Sequence, residues 1–166
     1  MPKLDPATKA AIKAIVDAQL GRKGVTVRDI LKAVLDAGPD DPIRQMAARQ
    51  IKARVLVRLF ASHPGKNGKG ALTLRPRGSD TDVVISRIDY GEADDVSYVD
   101  IYADGATVGG DPHFRIINPP MLVEDPAGDI VVTSKRRDGR MVTRTFREDP
   151  LAAIAEAIAG QGGAQR

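Results

Sequence analysis

The chain has 166 residues and a mass of 17.7 kDa, with 42% hydrophobic and 28% charged residues, proportions that exclude global disorder and allow one ordinary domain or a small domain with an appendage. It contains no Cys and no Trp, which excludes disulfides, thiolate catalysis and cysteine zinc sites and leaves an aliphatic core of Val, Ile, Leu and Ala. The net charge of +3 hides an asymmetry: residues 1–70 carry fourteen Lys or Arg against six Asp, a surplus of eight, while residues 71–166 carry eleven against sixteen acids, a deficit of five. Such a split suits a basic patch for nucleic acid or an acidic partner, and equally two halves that attract each other.

The first helix is expected from Asp5-Pro6, with Asp as N-cap and Pro at the first helical position. Ile12, Ile15, Val16 and Leu20 form its apolar stripe and Gly21 its stop. The lysines spread through this segment rule out a signal peptide. No run in the chain is long enough to span a bilayer, so a cytoplasmic protein without membrane contact is expected. In the second helix Thr26 is the N-cap, Asp29 completes a capping-box variant, and Val25 with Ile30 make a hydrophobic staple. Gly38-Pro39 should end it.

The third helix is expected from Asp41-Pro42 to Ser62. Its second half, VLVRLF, is apolar on nearly every side, the pattern of a helix buried from several directions. The same helix carries Arg44, Arg54 and Arg58 within about 80° of its circumference, a candidate strip for phosphates, while Arg49 and Lys52 lie well around the cylinder. The acidic turn at Asp40 and Asp41 opposes a DNA reading, and a solvated helix that pairs its arginines with acids fits better.

SHPGKNGKG then interrupts all periodicity. It lacks the Lys-Ser/Thr step of a phosphate-binding loop, so an NTPase is excluded. His63 reads as a helix-end residue rather than a ligand. Residues 1–63 are therefore expected to form a basic helical region and 64–70 a linker. Residues 71–160 should form an acidic antiparallel β domain with a C-terminal helix, and 161–166 a loose tail.

From Ala71 the period becomes alternating. ALTL, DVVISRI, VSYVDIYA, FRII, MLVE, DIVVTSKRR and RMVTRTF read as short strands, the last two flanking the Asp138-Gly139 turn. The acids Asp89, Glu92, Asp94, Asp95, Asp100 and Asp104 crowd the segment before and within the third of these strands; they do not follow the order of an EF-hand calcium loop and read as a solvated acidic loop. Asp149-Pro150 opens a helix with Leu151, Ile154, Ala155 and Ile158 on its apolar face. Helices, then hairpin-linked strands, then a helix define an α+β fold with a mostly antiparallel sheet.

Three candidate sites emerge. In VSYVDIYA, Tyr98, Asp100 and Tyr102 share one side of the strand, a rigid aromatic pair suited to a protein partner. KRRDGR puts Lys135, Arg136, Arg137 and Arg140 at a hairpin tip, where a basic wing could grip phosphates. Asp111 and His113 could form a carboxylate-oriented base, but the chain offers no third catalytic group. No metal or cofactor motif is found, and no known family lends its motifs. The texture of INPPMLVEDPAGD and TFREDPL suggests a bacterial or phage protein. The leading expectation is a non-enzymatic interaction or accessory protein that binds a protein partner through the acidic, Tyr-bearing strand. A nucleic-acid binder using the third helix and the hairpin comes second, and an enzyme around Asp111 and His113 third.

Overall fold

The computed structural model describes residues 4–93, 96–103, 114–118, 130–135, 140–146 and 149–164. Three helices come first: α1 (Pro6–Leu20), α2 (Val27–Asp36) and α3 (Pro42–Ser62). Six strands follow: β1 (Leu72–Leu74), β2 (Val83–Ala93), β3 (Val96–Ala103), β4 (Phe114–Ile117), β5 (Ile130–Lys135) and β6 (Met141–Phe146), and α4 (Pro150–Ala164) closes the chain. The strands form one sheet in the order β1-β2-β3-β4-β5-β6, with every neighbour antiparallel. The protein is α+β, as its element order implied.

The helix starts are set locally. The Asp5 carboxylate accepts from the Thr8 N–H at 2.8 Å, and the Thr26 hydroxyl accepts from the Asp29 N–H at 3.1 Å. Asp41 accepts from Ile43 N at 3.0 Å, and Asp149 accepts from Leu151 N at 2.8 Å. Each satisfies a backbone donor that the first turn leaves open. α1 ends at Gly21 as expected, but α2 closes on Ala37, one residue before Gly38. α4 runs on through Gly160 to Ala164, past the start of the tail drawn from the sequence.

α3 is the spine of the molecule. Along one side Ala47, Ala48, Ile51 and Val55 join Ile12 and Val16 of α1 and Ile30, Leu31 and Val34 of α2 in a helical core. Along the other, Ala53, Leu56 and Phe60 join the sheet and α4 in a second core. Neighbours in VLVRLF thus enter different cores, which accounts for apolar residues all around that stretch. α4 adds Leu151, Ala153, Ile154, Ala157 and Ile158 to the same sheet face. Opposite them lie Leu72, Ile85, Ile88, Val99, Ile101, Phe114 and Ile116.

The sheet departs from the sequence reading in β2. The strand continues beyond Ile88 through Asp89, Tyr90, Gly91 and Glu92 to Ala93, all paired with β3. Asp89 and Glu92 are therefore strand residues, not parts of a loop; Asp94 and Asp95 lie outside the described residues. The acids masked a strand that its partner imposes, because alternation continues through them. β2 also carries an irregularity at Ser86: Ile85 faces Ala103 while Arg87 faces Tyr102. The Ser86 hydroxyl donates to the Tyr102 carbonyl at 3.0 Å. The extra residue lets Ile85 and Ile88, three apart, both enter the core, which strict alternation forbids.

The segment between α3 and β1 is a built turn. The Asn67 side chain accepts from Lys69 N at 2.8 Å and Ala71 N at 3.2 Å, and Gly70 takes φ +83°. His63 caps α3. Its Nδ1 accepts from Gly65 N at 3.0 Å, so the proton sits on Nε2, which donates to Asp149 at 3.2 Å. Both ring nitrogens are engaged, and the contact ties the end of α3 to the start of α4. The helical and sheet halves of the chain meet here.

Candidate functional site

α3 and α4 cover one face of the sheet; among the described residues no helix packs on the other. That second face is built from alternate residues of three strands. β2 contributes Arg87, Asp89 and Gly91, β3 contributes Tyr98, Asp100 and Tyr102, and β4 contributes Arg115 and Ile117. In register, Arg87 lies beside Tyr102, Asp89 beside Asp100, Gly91 beside Tyr98, and Asp100 beside Arg115.

Asp100 is only 7% exposed. A carboxylate that far from water needs a partner, and Arg115 supplies a two-pronged one: Nε donates to Oδ1 at 2.6 Å and a terminal amine to Oδ2 at 2.8 Å. This pairing holds the Arg115 guanidinium above its ordinary pKa. The same guanidinium lies 4.3 Å from the centre of the Tyr98 ring. Arg87 repeats the device one row along. It stacks 3.9 Å from the Tyr102 ring and meets Asp89 at 2.8 Å.

Asp89 and Asp100 face each other, a repulsive pair were each not held by its own arginine. Arg87 and Arg115 offset Asp89 and Asp100, and Lys135 of β5 follows Arg115 in the same row, so the strand is not the acidic surface its sequence suggests. Tyr98 and Tyr102 are both partly exposed, beside the more exposed Arg87. Gly91 makes room for one of them. A Cβ there would lie 2.4 Å from the Tyr98 ring, so the ring rests directly on the glycine backbone.

Tyr98, Asp100 and Tyr102 therefore form one constellation, joined by Arg87, Gly91 and Arg115. Those three were missed because each reaches the site across a strand pairing. The alternation Arg87-x-Asp89-x-Gly91 is the one local signal that could have flagged them. Asp111 and His113 lie outside the described residues.

The cationic candidates do not form a common free strip. The Arg44 guanidinium donates to the Val34 carbonyl at 3.2 Å and lies 3.9 Å from Asp41. Arg54 reaches Asp17 at 3.4 Å and lies 5.3 Å from the Tyr90 ring centre. Arg58 is exposed, about 21 Å along the helix axis from Arg44. In the hairpin, Lys135 pairs with Arg115 on one side and Met141 on the other. Arg140 is exposed, and Arg136 and Arg137 lie outside the described residues.

Compared with known proteins, the chain matches no protein-family model, no curated protein and no solved structure. Among the described residues no helix is long and apolar enough to cross a membrane.

Proposed function

We propose that this chain is a non-enzymatic binding protein that engages a protein partner through the helix-free face of the sheet, with Tyr98 and Tyr102 as anchors. The observation that supports it is the arrangement of the two rings. Each is partly exposed and each is held by a stacked arginine that is itself tied to a carboxylate. Tyrosines held this way lose little further freedom when a partner covers them. Their large flat surfaces and polar tips suit an interface. Because Arg87 and Arg115 offset Asp89 and Asp100, the partner this face fits offers a hydrogen-bonding patch for the two rings rather than a strongly basic one.

The test is capture from a native extract treated with nuclease, with the wild type beside Tyr98→Ala/Tyr102→Ala. The double variant should keep the wild-type far-ultraviolet spectrum and lose the captured protein. Capture unchanged by the double variant would refute this interface. Capture that vanishes with nuclease alone would point to nucleic acid instead.

A further inference from the structure

A second surface lies in the helical half, separated from the sheet by α3. Where the end of α1, the start of α2 and the later part of α3 meet, a cleft of about 220 Å³ opens to solvent. Leu20, Val25, Val27, Ile30, Val55 and Leu59 form its walls. Leu20, Val25, Val27 and Leu59 are only partly buried, so the helical core leaves apolar surface uncovered here. The Ser62 hydroxyl at its edge turns back to the Arg58 carbonyl at 2.9 Å.

Arg22 and Arg58 stand on the rim, and both are exposed. Their situation differs from that of Arg44, Arg54, Arg75, Arg87 and Arg115, each of which meets a carboxylate at 2.6–3.9 Å. Arg22 donates to the neutral Gln19 side chain at 3.1 Å. Among the described residues neither Arg22 nor Arg58 has an ion-pair partner. Among the described residues, two cations without a carboxylate partner therefore stand beside a partly exposed apolar patch.

We propose that this cleft docks an acidic peptide segment of a partner protein, anchored by an aliphatic or Phe side chain with Asp or Glu beside it. The volume holds roughly seven waters' worth of space. That lies below the roughly 300–1,000 Å³ of small-molecule and cofactor pockets and suits one or two side chains. The aliphatic walls take the anchor, and Arg22 and Arg58 meet the flanking carboxylates. Nucleic acid would satisfy the arginines but leave the aliphatic walls uncovered.

The full chain is panned against displayed random peptides of about a dozen residues, with Arg22→Glu/Arg58→Glu as the counter-target. Enriched peptides should pair Leu, Ile, Val or Phe with Asp or Glu. One such peptide, synthesised with a fluorescent label, should shift the methyl resonances of Leu20, Val25, Val27 and Leu59. Its affinity should fall roughly tenfold or more for the charge-reversed chain, and likewise when its anchor is changed to Ser. The variant's melting curve confirms that it remains folded. Three results overturn the proposal: no enrichment over the counter-target, affinity indifferent to charge reversal, or affinity indifferent to loss of the anchor. Duplex DNA that binds through Arg22 and Arg58 where no peptide does would make the cleft a phosphate site and end the proposal as well.

Discussion

Gly91 offers the sharpest test of the helix-free face. Changing it to Ala places a methyl 2.4 Å from Cε2 and Cζ of Tyr98 and 2.5 Å from the hydroxyl. Packed carbons settle about 3.5–4.0 Å apart, so the ring must move by more than about 1 Å. Moving it disturbs the stack with Arg115, whose guanidinium lies 4.3 Å from the ring centre. A partly exposed cation–π contact contributes about 0.5–1 kcal/mol, and forced repacking costs about 1–3 kcal/mol. Against this, Gly→Ala restricts the unfolded chain and stabilises by about 0.4–1 kcal/mol. The expected net effect is a loss of about 1 kcal/mol in the wild type. With Tyr98→Ala already present no ring stands in the way, and Gly91→Ala should then stabilise by about 0.5 kcal/mol. Urea denaturation of the four proteins of this cycle measures the difference. With a slope of about 2.5 kcal/mol/M, a 1 kcal/mol change moves the midpoint by about 0.4 M. If Gly91→Ala shifts both backgrounds equally, the ring does not rest on Gly91 and the account of this face is wrong.

Further expectations concern the ion pairs and one lysine. Arg115→Ala strands the buried Asp100 carboxylate and should cost about 2–3 kcal/mol. In an Asp100→Asn background the loss should shrink; an equal loss there would locate the effect elsewhere. Asp149→Ala removes the α4 cap and the His63 contact and should cost about 1–2 kcal/mol, with Asp149→Asn retaining most of that, as thermal melts of both variants would show. Burial pushes the Lys52 ammonium below its ordinary pKa, assisted by nearby Arg49. The unfolded chain therefore binds the extra proton, and stability rises with pH between the lowered folded value and the ordinary lysine value. Below that window the cost of burying the charge is fully present, and above it the cost is gone. Lys52→Met should accordingly stabilise at neutral pH, by an amount that shrinks toward strongly alkaline pH; denaturant melts at the two pH values would expose a constant gain as a contradiction.

Much of the helical half was legible because its signals are short-range. Asp5, Asp41 and Asp149 each precede a proline and each caps a helix, and Thr26 with Asp29 does the same without one. VLVRLF showed by its composition that α3 would be enclosed, though not that two separate cores would enclose it. The strands were less legible. β2 was cut short at Ile88 because Asp89 and Glu92 have the composition of a loop, and the three-residue step from Ile85 to Ile88 was the one trace of the bulge at Ser86. At the candidate site, Tyr98, Asp100 and Tyr102 were visible as one side of a strand. Their charge state was not, because Asp100 finds Arg115 across β3–β4 and Asp89 finds Arg87 two residues back along β2.

The sequence by itself determined where helices begin, the α+β order, and which side of β3 carries the aromatic pair. Caps, turns and periodicity act within a few residues, so the chain specifies them wherever it folds. Tertiary structure alone decided that Arg87 and Arg115 would offset Asp89 and Asp100 and that Gly91 would lie beneath Tyr98. It also left Arg22 and Arg58 beside an apolar cleft without an ion-pair partner among the described residues, while Arg44, Arg54 and Arg115 found acids. Those outcomes depend on which strands and helices become neighbours. That choice is made by burying Ile, Leu and Val in two cores on either side of α3, and the charges then take the partners that this packing brings within reach.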